Sequence, residues 1–298
     1  MSRLLLVLGL FSVVSCGPKF AGVLSLEKNA AVMNGTDVKE NDAILTSIVS
    51  VYNIRENSIC TGSLIAPDIV LTAAHCVTGK KSDMRIIFGT DVDEWLGARE
   101  QDVIAEHIHT ISDMKAHPDY SSDPSSYKES DQSDIALIKF RGALPEGYKP
   151  AIFLSDESLL KRGAIVTVAG YGVNHVELED FNPKTLSADR LAESIDSGEV
   201  VCNDKYQSCY KVVMTGDGKL RQGKAPISSL QQTEVRLNET EAGTCAGDSG
   251  GPAYIEKDGV YYLFGITSRG SELCNAYGVY TNALEFSQWI QDTIKVLY

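Results

Sequence analysis

The sequence predicts an all-β protein. Its interior apolar runs are short and rich in β-branched residues, and Gly, Pro, Asn or Asp punctuate them. Helical spacing shows only at the ends, over residues 4–14 and 283–298, where Leu284, Phe286, Trp289, Ile290, Ile294 and Leu297 recur. With 298 residues and 43% hydrophobic content, the chain can bury a sizeable core. A net charge of -13 argues against unspecific nucleic-acid binding and for a solvated acidic surface.

Taken in order, Met1-Ser2-Arg3 and the apolar run to Val14 read as a secretory signal peptide, residues 1–15. The run is too short for a transmembrane span, which needs about 20 apolar residues. Val13-Val14-Ser15-Cys16 resembles the lipobox of bacterial lipoproteins, in which the cysteine takes a lipid; the alternative is a plain signal peptide with a cysteine nearby. Residues 16–31 would then be a tether or propeptide, and residues 32–298 the folded domain. A strand over residues 63–70 leads to Leu71-Thr72-Ala73-Ala74-His75-Cys76, where small residues before His75 suggest a tight turn. Asp134 heads Ile135-Ala136-Leu137-Ile138, a run apolar enough for a core strand.

The densest stretch is Gly243-Thr244-Cys245-Ala246-Gly247-Asp248-Ser249-Gly250-Gly251-Pro252. Glycines there allow positive φ, so Ser249 can sit beside exposed main-chain N–H groups, as oxyanion stabilisation requires. Gly247 to Gly251 also satisfies G-x-S-x-G, the nucleophile elbow, but an elbow serine opens a helix and its histidine follows it. Here strand-like sequence follows Pro252, and no histidine lies beyond His175. The base must come from upstream, giving the order His75, Asp134, Ser249.

With these residues in place, the chain resembles the trypsin/chymotrypsin-like serine protease family, of a bacterial lipoprotein type if Cys16 is lipidated. Cys60 to Ile65, Leu71 to Cys76, His117-Pro118-Asp119-Tyr120, Asp134 to Leu137, Gly170-Tyr171-Gly172, Gly243 to Pro252, Gly265 to Ser268 and Gly278 to Thr281 carry the resemblance in the family's order. It implies two packed antiparallel six-stranded β-barrels with a C-terminal helix. It also implies an endopeptidase in which Ser249 attacks, His75 transfers the proton, Asp134 orients His75, and the N–H groups of Gly247 and Ser249 hold the oxyanion. Ser268, Arg269 and Gly270 would pair with the peptide as an added strand. Of seven cysteines, the family pattern pairs Cys60 with Cys76 and Cys245 with Cys274. Cys202 with Cys209 follows from proximity and elimination, and Cys16 is left over.

The resemblance puts Gly243 at the base of the primary pocket, beside Thr244, with Gly270 and Gly278 on its walls. Three glycines imply an open, uncharged slot and cleavage after apolar residues. Arg269 stands where relatives usually carry an aromatic, and would favour acidic substrate groups nearby. The stretch of about residues 173–219 reads as a long loop that restricts substrates, binds a partner or pairs as a hairpin. Val32-Met33-Asn34-Gly35 resembles the mature N-terminus, whose ammonium would pair with Asp248, making a zymogen. No cofactor or metal is expected: His107 and His109 share a strand face without a third ligand, and Asp91, Asp93 and Glu94 form an acidic turn. The expected partners are protein or peptide substrates, with the membrane reached only through a lipid on Cys16. The chain would be an exported monomer, held at the cell envelope or secreted after processing. A catalytically inactive binding protein on the same fold is the competing reading, and an esterase using the same triad is a third.

Overall fold

The computed structural model describes residues 31–121, 133–203 and 206–298; the leader expected over residues 1–15 and Cys16 lie outside them. The first barrel comprises β1 (Ile48–Asn53), β2 (Ser58–Ala66), β3 (Ile69–Thr72), β4 (Met84–Ile87), β5 (Ile108–Ala116) and β6 (Ala136–Arg141). They pair antiparallel in the order β1-β2-β3-β6-β5-β4, and β4 returns to β1. Successive side chains leave opposite faces of a strand, and here both faces meet a core. On β3, Val70 packs inside the barrel with Leu64, Met84 and Phe140, while Ile69 and Leu71 enter the core between the barrels. On β6, Ile138 and Phe140 turn inward and Leu137 outward. This double burial explains why these strands read as continuous apolar runs.

Two short helices, α1 (Val92–Leu96) and α2 (Gln101–His107), join β4 to β5, where no helix was expected. Asp91 caps α1 by accepting from the Asp93 N–H at 3.1 Å, and also pairs with Lys219 at 3.4 Å. The acidic turn is therefore a helix cap. His107 ends α2 and lies stacked on Trp95, whereas His109 is buried in β5 with its ring nitrogens on the carbonyls of Arg141 and Glu106. The two do not share a strand face.

The second barrel starts with β7 (Ile165–Gly170). An insertion follows: β8 (His175–Phe181), α3 (Ala188–Asp196), β9 (Val200–Cys202) and β10 (Cys209–Thr215). The barrel resumes with β11 (Arg221–Leu230), β12 (Glu234–Asn238), β13 (Pro252–Lys257), β14 (Val260–Gly270) and β15 (Tyr277–Asn282). Its strands run β11-β12-β15-β14-β13-β7, and β7 also pairs with β11, closing the ring around Val166, Val168, Val235, Leu237, Phe264 and Tyr280. The helix α4 (Ser287–Leu297) straps back onto the first barrel, where Lys139 Nζ donates to the Leu297 carbonyl at 3.0 Å. Two barrels and a terminal helix are what the resemblance implied.

The long connection is more ordered than a loop. β8, β10 and β9 form a three-stranded antiparallel sheet, and Cys202 lies opposite Cys209. Of the alternatives weighed, the extra hairpin comes nearest, enlarged by one strand and a helix. Val173, Val176, Val212 and Met214 seal this sheet against the Cys245–Cys274 disulfide. All three expected disulfides are formed.

Candidate active site

The site lies on the seam between the barrels. His75 sits in the single turn Ala74–Cys76 after β3, and the Cys60–Cys76 disulfide ties that turn to β2. Asp134 stands just before β6, after Ser133 in the left-handed region (φ 50°). Ser249 belongs to the loop leading into β13 from the other barrel. Its carbonyl accepts from the Thr61 N–H at 2.8 Å, joining the two barrels at the nucleophile.

His75 Nδ1 lies 2.8 Å from Asp134 Oδ2, and the His75 N–H donates to Oδ1 at 3.1 Å. The Ser268 hydroxyl also donates to Oδ2, at 2.7 Å, and Thr281 Oγ1 donates to the Asp134 carbonyl at 3.0 Å. Burial alone would raise the Asp134 carboxyl. The hydrogen bond and charge of His75, with the Ser268 hydroxyl and the His75 N–H, outweigh it and hold the group below the ordinary range. Asp134 therefore stays ionised and holds one tautomer of His75, leaving Nε2 as the free base.

The glycine-rich loop distributes its N–H groups unevenly. Cys245 N–H donates to Asp248 Oδ2, Asp248 N–H to the Cys245 carbonyl, Gly250 N–H to the Thr267 carbonyl and Gly251 N–H to the Asp248 carbonyl. Those of Gly247 and Ser249 are not among the described donors. Gly247 has φ 96°, and a Cβ there would lie 2.8 Å from Gly172 Cα, so only glycine fits. Asp248 is fully buried, and Gly172 N–H donates to its Oδ1 at 2.8 Å. Burial pushes its carboxyl up to about 7, against the pull of the Cys245 and Gly172 N–H groups and the charge of Arg221.

A cleft of about 220 Å³ opens over Ser249. Thr244, Cys245, Ser268, Arg269, Gly270 and Met214 line it. The last register pair of β13 with β14 is Pro252 with Ile266, so one edge of β14 is left without that partner from Ser268 to Gly270. Arg269 is already committed: its guanidinium makes a two-point ion pair with Glu234, both contacts 2.8 Å. The expected attraction of acidic substrate groups is therefore neutralised at source. The open, uncharged slot is also absent. Gly243 and Gly278 are buried, and the Glu239 side chain lies where a Cβ on either would point.

Met214, in the cleft lining, and Glu239, packed against Gly243 and Gly278, are residues that sequence reasoning missed. For Glu239 a signal existed, because Val235, Leu237 and Glu239 alternate inward along β12 and just beyond it. Met214 carried none; it reaches the cleft from an insertion whose pairing is not legible in its composition.

At the N-terminal end, Val32 is fully buried in the second barrel's core, and the Gly243 N–H donates to the Met33 carbonyl at 3.1 Å. Val32 adopts φ 41°, a costly value for a β-branched residue.

A family model described as Trypsin matches residues 32–290. "CLIP domain-containing serine protease B8" of Anopheles gambiae is 27% identical, over 94% of this chain and 69% of its own length. "Urokinase-type plasminogen activator" of Gallus gallus is 26% identical, over 93% and 60% respectively. "Kallikrein 1-related peptidase b27" of Mus musculus is 30% identical, over 81% and 82%.

Proposed function

The chain belongs to the trypsin family and is a serine-type endopeptidase, and from that premise we propose that Ser249, His75 and Asp134 cut peptide bonds through an acyl-enzyme. The observation that supports this most is the shared carboxylate oxygen of Asp134, bonded to His75 from one barrel and to Ser268 from the other. Ser249 attacks the carbonyl carbon while His75 Nε2 takes the hydroxyl proton. The developing oxyanion is held by the N–H groups of Gly247 and Ser249. His75 then gives the proton to the leaving amine, and water repeats the sequence to free the acid. The peptide adds as a strand along Ser268 to Gly270.

Asp248 supports a switch. A buried carboxylate without an ionic partner is costly, and an ammonium freed at Val32 would supply one. Cleavage before Val32 therefore orders the oxyanion loop and, if Cys16 carries lipid, also frees the domain. The lipid rests on the Val13–Cys16 motif alone, which is one of bacterial lipoproteins, whereas the relatives above come from animals. Export rests on the leader, and action as a monomer on one triad within one chain. N-terminal sequencing and mass spectrometry of active material test these points. Activity in chains still beginning at Cys16 would refute the switch.

A fluorophosphonate probe tests the catalytic reading. It should label the processed wild type and not Ser249→Ala, and wild type alone should cleave peptides. A wild type that is not labelled and cleaves nothing would be a silent binding protein. Turnover of esters without peptides would make it an esterase.

A further inference from the structure

The insertion between β7 and β11 is rooted beside the nucleophile. Val173 N–H donates at 2.8 Å to the carbonyl of Ala246, in the loop of Ser249, and Gly218 N–H donates to the Tyr171 carbonyl at 2.8 Å. Between these anchors β8 and β10 pair from His175 with Thr215 to Phe181 with Cys209, and β9 adds to β10 on its other side. Residues opposite one another in such a ladder share a face, and faces alternate along each strand. One face therefore carries Val176 with Met214, Leu178 with Val212, and Tyr210 with Val201, with Asp180 at its outer end. The other face carries Glu177, Glu179 and Lys211 beside Val200 and Val213. The apolar face looks toward the site: Val176, Val212 and Met214 pack on the Cys245–Cys274 disulfide, and Met214 lines the cleft over Ser249. Farther out, Leu178, Tyr210 and Val201 are only half-buried and belong to none of the apolar cores among the described residues.

Apolar side chains left half in water on a hydrogen-bonded sheet have burial still to gain, and a contiguous set of them marks a contact surface. Continuity decides what covers it. The face begins at a residue of the cleft, so a chain crossing Ser249 is the chain that reaches it. We propose that the inserted sheet is a second substrate-binding surface, taking apolar side chains of a polypeptide beyond the residue seated in the cleft. This rests on the endopeptidase reading and deepens it. Met214 joins the two surfaces, and its flexible thioether accommodates side chains of different shape. Tyr210 lies four residues along β10 from Met214, roughly 13 Å of strand, which an extended peptide spans in about four residues. A short peptide confined to the cleft gains nothing from the sheet. The insertion therefore favours long chains with apolar residues flanking the cut, whatever residue the cleft itself prefers.

The test uses the full chain, exported and cleaved before Val32, on peptides that share one cleavage sequence. Two series lengthen them stepwise, on one side of the scissile bond or the other, with leucine or with serine. Adding leucines should raise kcat/KM about 10-fold on one side, mainly through KM, once roughly four residues have been added. Serines should give no such rise. Leu178→Asp and Tyr210→Ser should each remove the leucine-dependent rise, with the fluorophosphonate labelling rate reporting the state of the triad in each variant. Where one variant loses labelling, the other decides; where both do, the wild-type length series decides. No leucine-dependent rise on either side, or a rise that survives substitution in a variant that still labels, overturns the proposal and leaves the endopeptidase standing. If Ser249 is not labelled and nothing is cleaved, the endopeptidase reading fails. Calorimetry of the longest leucine and serine peptides with Ser249→Ala then decides on the sheet alone, equal affinity overturning it.

Discussion

Cutting the chain between Ala31 and Val32 should stabilise it, and more so at neutral than at acidic pH. Two costs are present before the cut. Val32 is held at φ 41°, a strain of ~1–3 kcal/mol that ends when the peptide bond defining φ is broken. Asp248 carries the larger cost. Burial holds its carboxyl at about 7, while an aspartate in the unfolded chain titrates near about 3.9. The folded state therefore binds the proton more tightly, and stability falls as pH rises from about 4 to about 7. At pH 7.5 the full penalty applies, ~4 kcal/mol; at pH 5 only ~1.5 kcal/mol has accrued. An ammonium at Val32 offsets this penalty, and the strain relief is the same at both pH values. Glu239, pushed up to about 7 by burial, titrates in both forms and cancels.

The pH-dependent part of the gain is thus ~2.5 kcal/mol, or roughly 5–10 °C in Tm for a domain of this size. Thermal unfolding of the Ser249→Ala protein, uncut and cut, at pH 7.5 and pH 5 measures it without self-digestion. An equal gain at both pH values would refute the pairing of Val32 with Asp248. No gain at all would refute the strain argument as well.

Two further outcomes follow from the geometry. Asp134→Asn should lower kcat by about 10⁴-fold, because the amide would favour the wrong tautomer of His75 while leaving Ser249 in place; fluorophosphonate labelling rates would follow the same loss. Arg269→Ala should destabilise the domain by ~3–5 kcal/mol in urea unfolding, since Glu234 would keep a buried charge stripped of its two-point pair. A change within ~1 kcal/mol would show that this pair behaves as a surface contact.

The parts of this molecule legible in its sequence are those whose signal is local. The runs around Val70 and Ile138 announce strands because two cores claim their opposite faces. Chain order alone points to a histidine upstream of Ser249, since no histidine lies beyond His175. What escaped depends on partners distant in sequence. Glu234 and Arg269 meet across the intervening strand β15, 35 residues apart, so neither advertises the other. Glu239 follows Asn238 among exposed polar residues, and only its inward phase just beyond β12 marks it. The helices α1 and α2 are one to two turns long, too short for a repeat of 3.6 to show.

Asp134 belongs to one barrel, yet Ser268 and Thr281, two of its hydrogen-bond donors, come from the other. The nucleophile is likewise held across the seam, through Thr61 and the Ser249 carbonyl. On the proposed triad, neither half alone would hold a complete site. If Ser249, His75 and Asp134 act together as proposed, their alignment depends on the seam built on Leu71, Leu137, Tyr171 and Leu263. Turnover would in that sense gauge assembly: an agent wedging the halves apart would part Asp134 from Ser268 and Thr281.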